Sequence, residues 1–268
     1  MVSRDISTPS CALAIGAHPD DVEFGCGATL AKWASKGCKI YHLICTDGSK
    51  GSWDPDTDVA SLIARRKEEQ RRASRALGGS GEVIFLSWPD GELEAGLRQR
   101  WQICWWIRKI RPEVILGHDP WKRYRLHPDH RNAGFLFIDA TVAARDPLFF
   151  PEQNMPPHRP SALLLFEADE PNHIEDVTGF EELKVAALLE HESQLETTMG
   201  IPVSNNNGSS SSEKSNNNGS SSSENTFQDI QKKARDEFVT KIKGELASNG
   251  KVIGVRSGES FYLMDNIK

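Results

Sequence analysis

The fold of this chain is decided by one stretch, Cys11-Ala12-Leu13-Ala14-Ile15-Gly16, which leads directly into Ala17-His18-Pro19-Asp20-Asp21-Val22-Glu23. The first six residues form a short apolar run that is typical of a buried strand. One imidazole and two adjacent carboxylates follow where this strand ends. Open α/β sheets bind ligands at their carboxyl edge, so the pattern indicates half of a metal site. On an extended backbone the two carboxylates would diverge, one towards a cation and the other towards whatever the cation binds.

The same residues also fit a purely structural interpretation. Pro19-Asp20-Asp21 is an ordinary sequence for a strand-ending turn or a helix cap, with His18 as a satisfied neighbour. On this stretch alone, the turn and the metal site remain equally open.

A second polar cluster, His127-Pro128-Asp129-His130-Arg131, follows the apolar run Val114-Ile115-Leu116-Gly117. Pro128 suits the first turn of a helix, with His127 at or near the N-cap. His127 and His130 are three residues apart, so they would point the same way. If the two strand ends are neighbours, one histidine completes a His-Asp-His set and the other stays free for chemistry. Three protein ligands with an open position are typical of a catalytic zinc site.

The rest of the chain alternates between strand and helix patterns. Strands are predicted near residues 11–16, 39–45, 82–86, 113–117 and 161–166, and helices near 26–36, 59–77, 97–110, 129–144, 179–193 and 227–247. Continuous apolar strands separated by helices predict a mostly parallel central sheet covered on both faces. The expected fold class is therefore α/β, a Rossmann-like three-layer sandwich.

Dinucleotide binding is the rival function for such a fold. Gly25 and Gly27 follow the first strand, but position 30, where the third glycine belongs, is Leu30. His18 and the two aspartates also occupy the turn where a glycine-rich phosphate loop would lie. The sequence therefore disfavours a nucleotide site.

Composition narrows the expected partners and compartment. The 268 residues include 32 basic and 38 acidic side chains, a net charge of −6 without a Lys/Arg-rich run, so neither nucleic acid nor an anionic membrane is an expected partner. Residues 1–10 lack a signal-peptide core, and five cysteines without a CxxC pair agree with a reducing compartment. We therefore expect a cytoplasmic protein. Cys26 lies close to the first motif, but burial is expected for it rather than metal binding.

Residues 204–225 contain a tandem repeat. Residues 204–214 recur at 215–225 with only the last residue changed, from Lys214 to Asn225. A tract without apolar residues cannot offset the entropy of ordering, so the pattern predicts a flexible low-complexity loop. The expected organisation is one domain over residues 1–268, interrupted by this loop.

Residues 17–30 and 127–131 resemble the two signatures of the LmbE-like (PIG-L) zinc-dependent de-N-acetylases. The likeness continues in shorter segments along nearly the whole chain except residues 204–225; these are Thr46-Asp47-Gly48, Arg66-Lys67-Glu68-Glu69, Pro89-Asp90-Gly91, His191-Glu192-Ser193-Gln194 and Gly258-Glu259-Ser260-Phe261. The resemblance implies a hydrolase of linear amides that removes an N-acetyl group from an N-acetylglucosamine-type sugar or glycoside.

Carried over by position, the resemblance implies that His18, Asp21 and His130 bind Zn²⁺, with Fe²⁺ able to substitute. Asp20 would be the general base that takes a proton from the activated water. His127 would stabilise the oxyanion.

Three further residues complete the implied site. Asp129 would orient His127, and Arg66 and Asp90 would hold sugar hydroxyls. For Asp90 an ordinary Pro-Asp-Gly turn stays open, and for Arg66 a solvated helix charge.

Aromatic residues near the motifs are a further hypothesis. Trp53, Trp88, Trp121 and Tyr124 fall in predicted loops at the same sheet edge, where a ring face would stack on a sugar. Loop packing explains each of them equally well, and spacing does not settle whether the Tyr124 hydroxyl reaches the carbonyl oxygen.

Several alternatives concern function. The protein would then be an amidase acting on thiol-glycoside conjugates, a non-haem iron enzyme with a 2-His-1-carboxylate set, or a non-catalytic sugar-binding protein. The substrate would be a small N-acetylated amino sugar, and a homo-oligomer in which neighbours complete the site is compatible with the resemblance.

Overall fold

The computed structural model describes residues 2–203, 220–265 and 267, without the side chains of residues 220–225. The described strands are β1 (Ser3–Arg4), β2 (Cys11–Gly16), β3 (Lys39–Thr46), β4 (Val83–Trp88), β5 (Val114–His118), β6 (Ala162–Phe166), β7 (His173–Asp176) and β8 (Gly258–Met264). The α-helices are α1 (Asp21–Ser35), α2 (Val59–Ala76), α3 (Leu97–Ile110), α4 (Pro128–Arg145), α5 (Glu181–Leu189) and α6 (Ser220–Val252). No helix in these ranges is long and apolar enough to span a bilayer.

The strands form one sheet in the order β1-β7-β8-β6-β5-β2-β3-β4. Strand β2 pairs in parallel with both β3 and β5, and β8 runs antiparallel to β6 and β7. The chain therefore builds outwards from β2 on one side through β3 and β4, then returns to add β5 on the other side. This reversal makes the carboxyl ends of β2 and β5 the topological switch point, where open α/β sheets bind ligands.

Alternation along β2 explains why both faces of the sheet are covered. Ala12 and Ala14 belong to one apolar cluster, which includes residues of α1, α2 and α5. Leu13 and Ile15 belong to the opposite cluster, which includes residues of α3 and α4. Successive strand residues point to opposite faces, so a continuous apolar run supplies both cores. The predicted three-layer α/β sandwich with a mostly parallel sheet is confirmed.

Three strands were missed by the periodicity. Strands β1 and β7 are only two and four residues long, and β8 lies after the last predicted helix. Strand β8 was missed because its polar half, Gly258 to Ser260, interrupts the apolar run. Its pairing with β6 and β7 depends on contacts that are distant in the sequence.

The boundaries of α1 and α5 also differ from expectation. Helix α1 begins at Asp21 rather than near residue 26, and Cys26, which is fully buried as expected, has a non-helical φ of −149° inside it. Helix α5 ends at Leu189 and is followed by a short 3₁₀ turn, Glu192–Gln194. The glycines around Cys26 concealed the true start of α1 because they weaken a helical pattern.

The predicted low-complexity loop is described only in part. Residues 204–219 lie outside the described residues. Residues 220–225 belong to α6, which begins at Ser220 instead of near residue 227. Extending an existing helix costs much less than nucleating one, so polar residues can be added to its end.

Candidate active site

The backbone at the end of β2 turns sharply into α1. Asp20 is the N-cap of α1 with a left-handed φ of +103°, and Asp21 is the first helical residue. The expectation of two carboxylates on an extended backbone is therefore wrong, because the helix starts within the motif. The turn nevertheless separates the side chains of Asp20 and Asp21, as that expectation required.

The side chains of three predicted ligands from the two motifs converge. His18 Nδ1 lies 3.2 Å from His130 Nε2 and 3.4 Å from the Asp21 carboxylate, and His130 Nε2 lies 3.3 Å from the other Asp21 oxygen. In a tetrahedral site with bonds of about 2.0–2.1 Å, neighbouring ligand atoms lie roughly 3.3 Å apart. The structure thus brings His18, Asp21 and His130, called here the ligand cluster, close together, with each histidine nitrogen facing a different oxygen of the Asp21 carboxylate.

His18 is held in place by carboxylates on its far side. Its Nε2 lies 3.2 Å from Asp129 Oδ2 and 3.1 Å from Asp90 Oδ1. A proton on Nε2, shared with these carboxylates, leaves the Nδ1 lone pair facing His130 and Asp21. Such carboxylate–histidine pairs orient ligands in known metal sites.

Asp129 has a different partner from the one expected. Its fully buried carboxylate accepts the backbone N–H groups of Gly91 (2.6 Å) and Leu93 (3.2 Å) and faces His18. Only the backbone N–H of Asp129 contacts His127, by donating to Nδ1 at 3.3 Å. The carboxylate therefore supports the metal-facing histidine, because the turn after β4 brings two donors to it.

Sequence reasoning missed His118, the last residue of β5. Its Nε2 lies 3.1 Å from Asp21 Oδ2 and its Nδ1 lies 3.2 Å from Glu167 Oε2. The ring stacks on His130 with centroids 4.4 Å apart. The signal was present, since His118 directly follows the apolar run ending at Gly117. A polar residue that ends a strand at the switch point belongs among the candidates.

Asp20 lies beside the ligand cluster with a perturbed acidity. Burial, opposed by Arg66 and reinforced by Asp21, raises the pKa of Asp20 to about 6. The Arg66 guanidinium approaches the carboxylate to 3.8 Å. A carboxylate with this pKa is ionised at neutral pH and still basic enough to accept a proton.

His127 lines the same cavity as Asp20 and is the N-cap of α4, with Pro128 in the first turn as predicted. Burial, together with the neighbouring His18 and His130, lowers the pKa of His127, so its ring is neutral near pH 7. Because Nδ1 accepts a backbone N–H, the ring proton belongs on Nε2. His127 therefore carries a hydrogen-bond donor.

Arg66 and Asp90 are both buried at the base of the cavity. Arg66 donates to the carbonyl oxygens of Gly48 (3.0 Å) and Pro19 (2.7 Å). The alternative of a solvated helix charge is therefore wrong for Arg66. Asp90 accepts the Lys50 backbone N–H at 3.1 Å while its other oxygen faces His18. Its side chain thus belongs to the cavity base as well as to a turn.

The cavity above these residues has a volume of about 430 Å³. Its charged base includes His18, Asp20 and Asp21, whereas its outer wall is formed by Ser52, Trp53, Gln194, Thr197 and Thr198. Trp53 is 74 % exposed at this wall. Hydroxyl, amide and aromatic groups of this kind suit a neutral polyhydroxylated ligand.

The other three aromatic residues are placed differently. Trp88 is the last residue of β4 rather than part of a loop, and it donates to Gln102 at 2.8 Å. Trp121 is exposed and packs edge-on against Phe135, and Tyr124 is 88 % exposed. Only Trp53 of the four lines the cavity among the described residues.

The fold and site together define an α/β protein with a candidate His/Asp metal site at the switch point of its sheet. The sequence profile of the family described as "PIG-L: GlcNAc-PI de-N-acetylase" matches residues 13–141. Diacetylchitobiose deacetylase of Thermococcus kodakarensis is 37 % identical over 185 residues, covering 68 % of this chain and 69 % of that protein. The chain belongs to the PIG-L family.

Two further comparisons agree. A 1D-myo-inositol 2-acetamido-2-deoxy-alpha-D-glucopyranoside deacetylase of Streptomyces avermitilis is 31 % identical, over 54 % of this chain and 57 % of that one. The structure of N,N'-diacetylchitobiose deacetylase from Pyrococcus horikoshii superposes with a TM-score of 0.77 at 29 % identity, covering 96 % and 84 % of the two chains. This chain thus spans little more than half the length of its Streptomyces relative. The predicted enzyme class, an amide hydrolase acting on N-acetyl groups, is the one to which the named relatives belong.

Proposed function

We propose that this protein is a zinc-dependent N-deacetylase that acts on an N-acetylglucosamine-type sugar or glycoside. The observation that carries the proposal is that His18 Nδ1 and His130 Nε2 lie 3.2 Å from each other and 3.3–3.4 Å from different oxygens of the Asp21 carboxylate, beside a buried carboxylate and a neutral imidazole. The relatives named as deacetylases of diacetylchitobiose and of 1D-myo-inositol 2-acetamido-2-deoxy-alpha-D-glucopyranoside support the acetamide as the group attacked.

The ligand cluster would hold the zinc ion. When bound, zinc polarises a carbonyl and makes water a stronger nucleophile at neutral pH. The donor set suits this ion, since two imidazoles and one carboxylate leave a fourth position for water or substrate. Binding through His130 Nε2 would place the ring proton on Nδ1, which now lies 2.8 Å from Arg125. Metal binding therefore requires the Arg125 guanidinium to turn away from His130. The Nη2 atom of Arg125 lies 2.7 Å from the Glu167 carboxylate.

Asp20 would act first as a base and then as an acid. It takes a proton from the attacking water while the water oxygen bonds to the carbonyl carbon. It then passes this proton to the amide nitrogen as the C–N bond breaks, which releases acetate and the free amine. The raised pKa of about 6 suits both steps near neutral pH, because it lies close to the operating pH.

His127 would stabilise the negative charge that forms on the carbonyl oxygen. Its Nε2–H is directed by the backbone contact at Nδ1. A hydrogen-bond donor that is already fixed in place stabilises an oxyanion without the reorganisation that water would need. Arg66 and Asp90 would complete the sugar-binding base of the cavity, and both are already held by backbone contacts.

The proposal is tested with zinc-loaded protein and a panel of acetylated amino sugars, including N-acetylglucosamine and diacetylchitobiose. Free amine and acetate are measured together and should appear in equal amounts. Removal of zinc with a chelator should abolish turnover, and added zinc should restore it. Absence of product from every sugar with full zinc occupancy would overturn the proposal, and activity with iron alone under oxygen would point to redox chemistry instead.

A further inference from the structure

Asp20 has a backbone conformation that its residue type disfavours. Its φ of +103° lies in the left-handed region, which residues with a Cβ rarely adopt. The Asp20 side chain forms no capping hydrogen bond that would repay this cost. A strained residue persists only where its surroundings enforce the conformation. The support must therefore come from the neighbouring residues.

Two side chains of α2 hold the peptide unit that precedes Asp20. Arg66 Nη2 donates to the Pro19 carbonyl oxygen at 2.7 Å, and Gln70 Oε1 accepts the Asp20 N–H at 3.0 Å. These two groups belong to the same peptide plane. Arg66 and Gln70 are four residues apart on one helix, so they lie on the same face. The plane is thus held at both of its polar ends by one rigid element.

Gln70 is itself fixed from behind. Its Nε2 donates to Glu23 Oε1 at 2.7 Å and lies 3.3 Å from His42 Nδ1. Glu23 Oε2 faces His191 Nε2 at 3.2 Å. These four residues, called here the buried cluster, are fully buried and come from α1, β3, α2 and the turn after α5. The amide of Gln70 therefore has little freedom to rotate.

We infer that Gln70 is a positioning residue: through the buried cluster it fixes the Pro19–Asp20 peptide, and so aims the Asp20 carboxylate. The inference rests on the proposed function, in which Asp20 is the base. With the Pro19–Asp20 peptide fixed on one side and α1 beginning at Asp21 on the other, the direction of the Asp20 Cα–Cβ bond is fixed, and the carboxylate can move only by rotation of its own side chain. A base displaced by about 1 Å loses roughly 100-fold in rate, so even a small relaxation matters.

The first experiment replaces the acceptor by an apolar group of similar size, Gln70→Leu, in zinc-loaded protein. We expect zinc content and KM to stay close to wild type while kcat falls roughly 10- to 100-fold. Gln153→Leu is the matched control. Gln153 is also buried and accepts a hydrogen bond from Arg108, but it lies outside the cavity. Its kcat should be unchanged. If Gln70→Leu does not fold, Gln70→Asn is used in its place. Its shorter side chain keeps a polar amide but withdraws the oxygen from the Asp20 N–H.

The second experiment measures the backbone strain itself, and it does not depend on activity. Asp20→Gly and Asp20→Ala are compared by their unfolding midpoints, once with Gln70 present and once with Gln70→Leu. Glycine adopts φ +103° freely, so the glycine variant should be the more stable with Gln70 present. The difference should vanish when Gln70 is replaced, because the peptide can then relax.

The outcomes separate this inference from the proposed function. An inactive wild type would overturn the deacetylase proposal, and the strain experiment would still test Gln70. An unchanged kcat in Gln70→Leu, an equal glycine–alanine difference in both backgrounds, or loss of zinc in Gln70→Leu would each overturn the positioning role.

Discussion

Two histidine–carboxylate clusters lie next to each other in this protein and differ in how they use the same side-chain types. In the ligand cluster, nitrogen and oxygen atoms of His18, Asp21 and His130 face one another across 3.2–3.4 Å and open onto the cavity. In the buried cluster, Gln70 and His42 face one oxygen of Glu23, at 2.7 Å and 3.5 Å, and His191 faces the other oxygen at 3.2 Å. Polar atoms come equally close together in both clusters, so the comparison shows that access to the cavity, and not composition or spacing, distinguishes the candidate metal site.

The pKa values and hydrogen bonding of the two histidines in the buried cluster also distinguish it from the ligand cluster. Burial lowers the pKa of His42, whereas Glu23 overcomes the effect of burial and raises the pKa of His191. In the described part of the chain, His42 Nε2 and His191 Nδ1 have no hydrogen-bond partner. Closed from solvent, this cluster can support structure but cannot exchange a ligand.

The largest effect should come from removing a ligand. His18→Ala and His130→Ala should each reduce zinc to a small fraction of one ion per chain and deacetylation to background, because two protein ligands hold zinc weakly. Metal analysis and amine release measure the two effects. His127→Ala is the control, and it should lose rate while keeping zinc. Retention of zinc by His130→Ala would move the site towards His118.

The next largest effect should follow from Asp20→Asn. This change removes the proton acceptor but no ligand, so zinc should remain bound while kcat falls about 100- to 10,000-fold. Single-turnover rates and metal content are measured on the same sample. Loss of zinc here would mean that Asp20 and Asp21 have exchanged roles.

A substitution in the buried cluster should lower the stability of the protein without loss of zinc, unlike a substitution in the ligand cluster. Glu23→Gln keeps an acceptor for Gln70 but removes the charge that faces His191, so the free energy of unfolding should fall by about 1–3 kcal/mol. Denaturant titration measures the loss. The expected zinc content is unchanged, and a fall in zinc would erase the distinction between the two clusters.

A smaller effect should appear at the outer wall of the cavity. Trp53→Ala should raise KM for diacetylchitobiose about 5-fold, the equivalent of about 1 kcal/mol from an aromatic contact. It should leave kcat and the KM for N-acetylglucosamine unchanged. Leu148→Ala, at an exposed apolar position outside the cavity, is the control. An equal rise in KM for diacetylchitobiose and for N-acetylglucosamine would exclude a contact between Trp53 and the second sugar ring of diacetylchitobiose.

The smallest effect is expected from deleting residues 205–224. Closure entropy grows only logarithmically with loop length, so shortening the repeat should leave folding and zinc binding intact. The unfolding midpoint and metal content provide the measurement. A large loss of zinc would contradict the view that the repeat is separate from the site.

Much of the fold followed from local patterns, because apolar runs and helix starts are encoded within a few residues. The strands at 11–16 and 162–166 and the cap at His127 fall where these patterns predicted them. Strand β8 did not, because it is held by pairing with β6 and β7 across the chain.

The candidate site divides in the same way. The motif residues His18, Asp20 and Asp21 were identifiable because they follow a strand that had to end at the sheet edge. The contact between Asp129 and His18 was not identifiable from the sequence, because it depends on the turn that places Gly91 beside the Asp129 carboxylate. The same holds for His118, which matters only because β5 pairs with β2.

Periodicity and turn chemistry act over short distances, so an alternating α/β chain with two polar motifs at strand ends is readable from the amino-acid order. Which atoms meet depends on how the strands and helices assemble. The switch point brings the ends of β2 and β5 together, the turn after β4 directs Asp129 to His18, and α2 supports the strained backbone of Asp20. These contacts join residues far apart in the chain, and their geometry exists only once the sheet has assembled.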